Sequence, residues 1–133
     1  MVTLKLISTI SLPCLQYAQE ALSPTKTYIK SIEHPWSRAF MKIFNTFNEK
    51  TILQCQYYTG YLPLEHTVQL KKFNFLNVLK FSPNWLLVCL FELTAADELN
   101  VIGARYGVPQ LANLSYNDMK SVIYNNFIRQ VNQ

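Results

Sequence analysis

Residues 61–81, YLPLEHTVQLKKFNFLNVLKF, constrain this chain more than any other stretch. At about 100° per residue, Leu64, Val68, Phe75, Val78 and Leu79 fall on one face of a helix, while Leu70, Phe73 and Leu76 fall on another. A helix that is apolar on two sides is buried between neighbours. Its boundaries are marked in the sequence. Gly60 closes what precedes it, and Pro63 suits a first helical position, where a missing N–H loses nothing. Ser82-Pro83 stops it, because a residue before proline avoids the α region. Its charge is concentrated in Lys71 and Lys72. The stretch predicts a central core helix with a basic pair along one edge.

The remaining segments carry helix punctuation too. Residues 4–22 place Leu4, Ile7, Cys14, Leu15, Ala18 and Leu22 on one face, with Pro13 expected to kink or divide the helix. Ser23-Pro24 reads as an N-cap followed by a first-position proline. The helix that follows is expected to break at Pro35 and resume with an aromatic stripe of Trp36, Phe40, Ile43, Phe44 and Phe47, which reads as core packing. Arg38 and Lys42 lie four apart on its opposite side. After a break at 45–48, residues 50–59 form a helix ended by a left-handed Gly60. Ser82-Pro83 predicts the next start. Residues 85–93 are almost wholly apolar and should be buried against the central helix. Thr94 reads as the N-cap of a helix led by Asp97 and Glu98 and ended by Gly107, with Pro109 beyond. Gln110–Leu114 reads as a loop. Ser115 and Asp118 make a capping box for a last helix presenting Met119, Val122, Ile123 and Phe127. The expected fold is all-α, about seven helices with no sheet. Residues 1–45 read as a helical arm and residues 46–133 as a C-terminal helical domain, which can pack as one unit.

At 133 residues the chain can bury a core, and with half its residues hydrophobic it is not disordered. Charged residues make up only 15 %, against the usual quarter. So few charges predict exposed apolar surface, as in an oligomer or a piece of something larger. The net charge of +4 permits a phosphate-bearing partner without requiring one. Cys14, Cys55 and Cys89 are odd in number, far apart and set among apolar residues, and read as buried free thiols in a reducing compartment. His34 and His66 have no ligand spacing with them, so no zinc site is expected. The run after Lys5 is interrupted by hydroxyl residues and ends at Pro13, a poor signal peptide. Localisation is expected to be intracellular, in nucleus or cytoplasm. No apolar run is long enough for a membrane span. Asn113-Leu114-Ser115 is a glycosylation sequon that matters only in a secreted chain.

Little here points to catalysis. The eight acids are spread along the chain, and the adjacent Asp97 and Glu98 point about 100° apart on a helix. There is no glycine-rich phosphate loop, nucleophile elbow or H-E-x-x-H motif. A two-metal nucleotidyl-transfer site needs clustered aspartates, and this chain has only Asp97 and Asp118. No catalytic residue and no cofactor are expected. His66 reads as a partly buried polar residue or a surface histidine. Lys71 and Lys72 can contact phosphate, or can snorkel over apolar surface.

Several landmarks together resemble one family. Leu12-Pro13-Cys14-Leu15-Gln16-Tyr17-Ala18-Gln19-Glu20-Ala21-Leu22 resembles the segment after the polymerase palm in LINE-type, non-LTR retrotransposon reverse transcriptases. Pro13, Tyr17 and Glu20 fit that pattern, and Ala18 replaces its usual glycine. Residues 32–44, Ile32-Glu33-His34-Pro35-Trp36 through Phe44, are similar to the helix that follows there. Cys55–Leu64, Leu70–Leu76, Leu90–Leu93 and Asp97-Glu98-Leu99 look like the tail of such proteins. The likeness spans nearly the whole chain through helix-packing positions. The family's Tyr/Phe-x-Asp-Asp palm motif is absent, so no catalytic residue carries over. The resemblance implies a thumb-and-beyond fragment of an RNA-directed DNA polymerase, with Met1 an internal methionine of a longer frame. Its partners are then RNA or an RNA–DNA duplex, and the missing polymerase palm or another protein. Arg38, Lys42, Lys71 and Lys72 are the residues expected at the nucleic acid. The alternative is a standalone all-α module that buries an apolar face against a protein.

Overall fold

The computed structural model describes residues 2–17, 19–108 and 113–132. Among the described residues seven α-helices follow in chain order: α1 Val2–Leu15, α2 Lys26–Phe44, α3 Glu49–Thr59, α4 Leu64–Lys80, α5 Trp85–Leu90, α6 Ala96–Tyr106 and α7 Tyr116–Val131. A π-helical turn, Phe91–Ala95, joins α5 to α6. No strand occurs among the described residues, and the chain is all-α as its periodicity predicts. Ala18, Pro109 and residues 110–112 of the expected loop lie outside the described residues.

Local chemistry fixes most helix ends. The Thr25 hydroxyl accepts the Tyr28 N–H at the start of α2, and the Asn48 carbonyl oxygen accepts the Lys50 N–H at the start of α3. Gly60 and Gly107 end α3 and α6 at φ 75° and 70°, where a Cβ is strained. Asn45 closes α2 in the same left-handed region. The predicted capping box opens α7, with the Asp118 carboxylate accepting the Ser115 N–H at 3.2 Å. The start of α4 is capped from a distance. Pro63 has no side chain that can cap, and the Glu33 carboxylate on α2 accepts the N–H groups of Leu64 and Glu65. Burial and the nearby Glu65 charge outweigh those bonds and hold Glu33 above its ordinary carboxylate range.

The central helix lies between two apolar clusters as expected, but of the predicted first face only Leu64 and Val68 join one cluster, while Phe75 and Leu79 pack against the other with Leu70, Phe73 and Leu76. Leu64 and Val68 pack with Leu4, Trp36, Phe40 and Ile52 from α1, α2 and α3. There Trp36 stands edge-on to Phe40 and Tyr61, with ring centroids 5.2 and 5.9 Å apart. Leu70, Phe73 and Leu76 pack with Phe91, Leu99, Ile102, Met119, Ile123 and Phe127. Residues 1–45 therefore share a core with the rest of the chain.

Several elements depart from the sequence expectation. α1 ends at Leu15, and the Gln19 side-chain amide turns back to donate to the Leu15 carbonyl. Leu22 is exposed as a result. Pro35 does not break α2. The Ser31 carbonyl it leaves without a donor belongs to an exposed turn, and the burial of Trp36 and Phe40 holds the helix through it. Phe47 lies past the Asn45 turn and is exposed. Asn84, not Ser82, caps α5 by accepting the Leu86 N–H at 3.0 Å. Thr94 starts no helix. Its hydroxyl donates to the Leu90 carbonyl within the continuous π turn. At the end of α4, Val78 is exposed and Phe75 and Leu79 are half-buried. Cys14 is an exposed free thiol, while Cys55 and Cys89 are half-buried.

Candidate functional site

The four basic residues singled out in the sequence do not converge. Arg38 and Lys42 are exposed, one turn apart on the side of α2 away from its buried Trp36 and Phe40. Among the described residues neither pairs with a carboxylate. Lys71 is also exposed, beside a groove of about 470 Å³ lined with Glu20, Asn74, Phe75, Val78 and Tyr116. Neither Arg38 nor Lys42 reaches that groove.

Lys72 corrects the sequence reading. It is buried, and its ammonium donates to the Leu22 carbonyl at 2.7 Å, to the Ser23 hydroxyl at 3.0 Å and to Glu98 Oε2 at 2.9 Å. An ammonium has three donors, and here all three have partners. The Ser23 hydroxyl donates in turn to Glu98 Oε1. Burial raises the Glu98 carboxyl, but the Ser23 hydroxyl and the Lys72 ammonium outweigh it and hold the group below its ordinary range. A phosphate at Lys72 has to displace this network. The residue is a clamp that ties residues 22–23 to α4 and α6, and it is not free to contact nucleic acid.

His66 is a buried polar residue held between three helices. Its Nε2 lies 3.4 Å from Gln130 Oε1 and its Nδ1 lies 2.9 Å from the Tyr106 hydroxyl. The Gln130 carbonyl oxygen only accepts, so Nε2 carries the proton and Nδ1 accepts from Tyr106. Burial lowers the His66 pKa, and burial pushes the Tyr106 phenol up to about 12. Both shifts favour the neutral forms, which suit this hydrogen bond.

The feature that sequence reasoning misplaced is the apolar stretch at 85–93. None of the six residues of α5 is buried. Trp85 is 74 % exposed, Leu86 52 %, Leu90 47 % and Leu93 80 %. Phe81 and Val78, just before the turn into α5, are exposed as well. Of residues 85–93, Phe91 is buried and Leu87, Val88 and Cys89 are half-buried. A helical wheel holds the signal: Trp85, Leu86, Leu90 and Leu93 fall within an arc of roughly 140°, and Phe91 lies outside it. Trp85, Leu86, Leu90 and Leu93 thus make an exposed apolar face across α5 and the π-helical turn that follows it.

Among the described residues no helix is long and apolar enough to cross a membrane. No group of three His, Cys, Asp or Glu side chains is placed to hold a metal ion among them. No protein-family model matches the sequence, and neither a curated protein nor a solved structure is significantly similar to it.

Proposed function

We propose that this chain is a non-catalytic helical module that acts docked against a protein surface through the exposed apolar face at α5. The observation that carries this reading is the exposure of Trp85, Leu86, Leu90 and Leu93 within one arc of α5 and the π-helical turn that follows it. Exposed apolar residues scattered singly are ordinary, but a contiguous patch of this kind marks an interaction site. The acids support the non-catalytic part, because four of the eight have a structural use. Glu33 caps α4, Asp118 caps α7, Glu98 holds Lys72 and Glu65 pairs with Arg105. The test is binding of an environment-sensitive hydrophobic dye to dilute protein. The wild type should light up the dye, and Leu86→Glu/Leu90→Glu should not. A wild type that leaves the dye dark refutes the reading.

A second reading is favoured by the exposed Arg38–Lys42 pair and by the resemblance to the region beyond the palm of a LINE-type reverse transcriptase. In it the chain is part of an RNA-directed DNA polymerase and assists its grip on a template–primer duplex, with Arg38, Lys42 and Lys71 at the phosphates. Alanine at these three positions should weaken binding to an RNA–DNA duplex at low salt and flatten its salt dependence. Unchanged affinity removes them from the reading.

A further inference from the structure

We infer that a row of basic side chains along the outside of α2 tracks the phosphates of a single-stranded nucleic acid. Arg38 and Lys42 of the second reading above belong to this row, so the inference rests on their contact with phosphate. It needs neither a duplex nor Lys71.

The row is built into the spacing of α2. Lys26, Lys30, His34, Arg38 and Lys42 recur every four residues, and all five are exposed. Four residues of helix rise about 6 Å, so the row runs about 24 Å. The buried Ile29, Trp36 and Phe40 occupy the other side of the helix. Glu33 is the only acid in α2, and its carboxylate is turned to the N–H groups of Leu64 and Glu65. Glu49 of α3 lines a groove together with Lys30 and His34 and pairs with neither. Among the described residues none of Lys26, Lys30, Arg38 and Lys42 makes an ion pair.

This arrangement works against the helix itself. Lys26 stands in the first turn, where the macrodipole disfavours a cation and no acid offsets it. Lys26 with Lys30, and Arg38 with Lys42, are like charges four apart, which repel. Local rules broken on one face, with no compensating contact inside the chain, mark a functional surface. A polyanion laid along the row removes both costs.

The geometry favours a strand over a lipid surface. Successive members of the row turn about 40° around the helix, so Lys26 and Lys42 differ by about 160°. A flat membrane meets one arc of a helix, whereas a flexible strand follows the whole row. A helix that lies on lipid also presents its apolar face to the membrane, and that face of α2 is spent on the core. Phe47, five residues past Lys42, is 86 % exposed and belongs to neither apolar cluster. An exposed ring at the end of a basic row is a platform for an unpaired base, which a strand offers and a duplex does not.

The experiment is fluorescence anisotropy of a labelled oligothymidylate of about 15 nucleotides, titrated with the full chain at stepped salt. Four fixed charges predict that log affinity falls with log salt at a slope of about −3. Lys26→Gln/Lys30→Gln and Arg38→Gln/Lys42→Gln should each halve that slope, and Lys5→Gln, on an exposed position of α1, should leave it unchanged. Phe47→Ala should weaken binding about tenfold at the same slope. All the substituted side chains are exposed, so the far-UV circular dichroism melts should match wild type. A strand that does not bind overturns the inference, as does a slope that survives Lys26→Gln/Lys30→Gln. Tighter binding to phosphatidylserine vesicles or to polyglutamate than to the strand overturns it in favour of lipid or an acidic protein. An RNA–DNA duplex run beside the strand separates the two readings. Duplex binding that is lost in Lys71→Gln, with no binding of the strand, overturns the row and leaves the second reading standing. Binding of neither overturns both.

Discussion

Replacing Lys72 by methionine keeps the buried stem and deletes the ammonium. Three acceptors then lose a donor: the Leu22 carbonyl, the Ser23 hydroxyl and the Glu98 carboxylate. Hydrogen bonds that involve a charge contribute about 1.5–3 kcal/mol, and breaking a fully buried ion pair costs about 3–5 kcal/mol. The Glu98 side chain is 37 % exposed, so water takes over part of its solvation and the upper range does not apply. The expected loss is about 2 kcal/mol. With a urea m-value of about 2 kcal/mol/M, the unfolding midpoint falls by about 1 M. Exposed Lys71 is the control, and Lys71→Met should stay within about 0.5 kcal/mol of wild type. Amide exchange at Leu22, whose N–H bonds the Gln19 carbonyl, should quicken in Lys72→Met. The reasoning fails if Lys72→Met unfolds at the wild-type midpoint, or if Lys71→Met is the more damaging change. The same clamp has a pH signature. Glu98 titrates below its ordinary 4.5 in the folded chain, so between the two values the unfolded chain binds more protons. Its contribution is complete above pH 4.5 and is lost as the pH falls through the folded value.

His66 should give a second acid window. Its folded pKa is depressed below 6.5, so stability is full above that pH and declines as the pH falls below it. Denaturant titrations at stepped pH should show that decline in wild type and not in His66→Gln. In the core, Phe73 is fully buried, and Phe73→Ala should cost about 3–5 kcal/mol in thermal or urea unfolding. Trp85→Ala should change the stability of the monomer by no more than about 0.5 kcal/mol; a core-sized loss there places Trp85 in the core and removes the exposed face.

Helix positions were legible where local chemistry decides them. Gly60, Gly107, and the pair Ser115 and Asp118 mark ends that need only a left-handed residue or a side-chain oxygen nearby. The two-sided pattern of residues 61–81 announced a helix between neighbours. The misreadings at Pro35 and Thr94 have one cause: a local stop or start signal of a kcal/mol or so yields to packing of large side chains on either side of it. The Glu33 cap joins residues some thirty positions apart, and no local pattern reports it.

Of the candidate site, the sequence set the ingredients. A chain half hydrophobic and only 15 % charged cannot cover all its apolar surface, and this one does not. Hydropathy could not say which apolar segment stays outside. Phe73 and Trp85 look equally suited to a core; α4 has helices on both sides, while α5 turns one side to solvent. Lys71 and Lys72 are neighbours of identical chemistry, and a helix turn of about 100° sends one to solvent and the other to Glu98. Composition and periodicity act through nearest neighbours, so the sequence alone determined the helices and the surplus of apolar surface. Burial depends on which distant segments arrive on each face, and only the tertiary structure decided that.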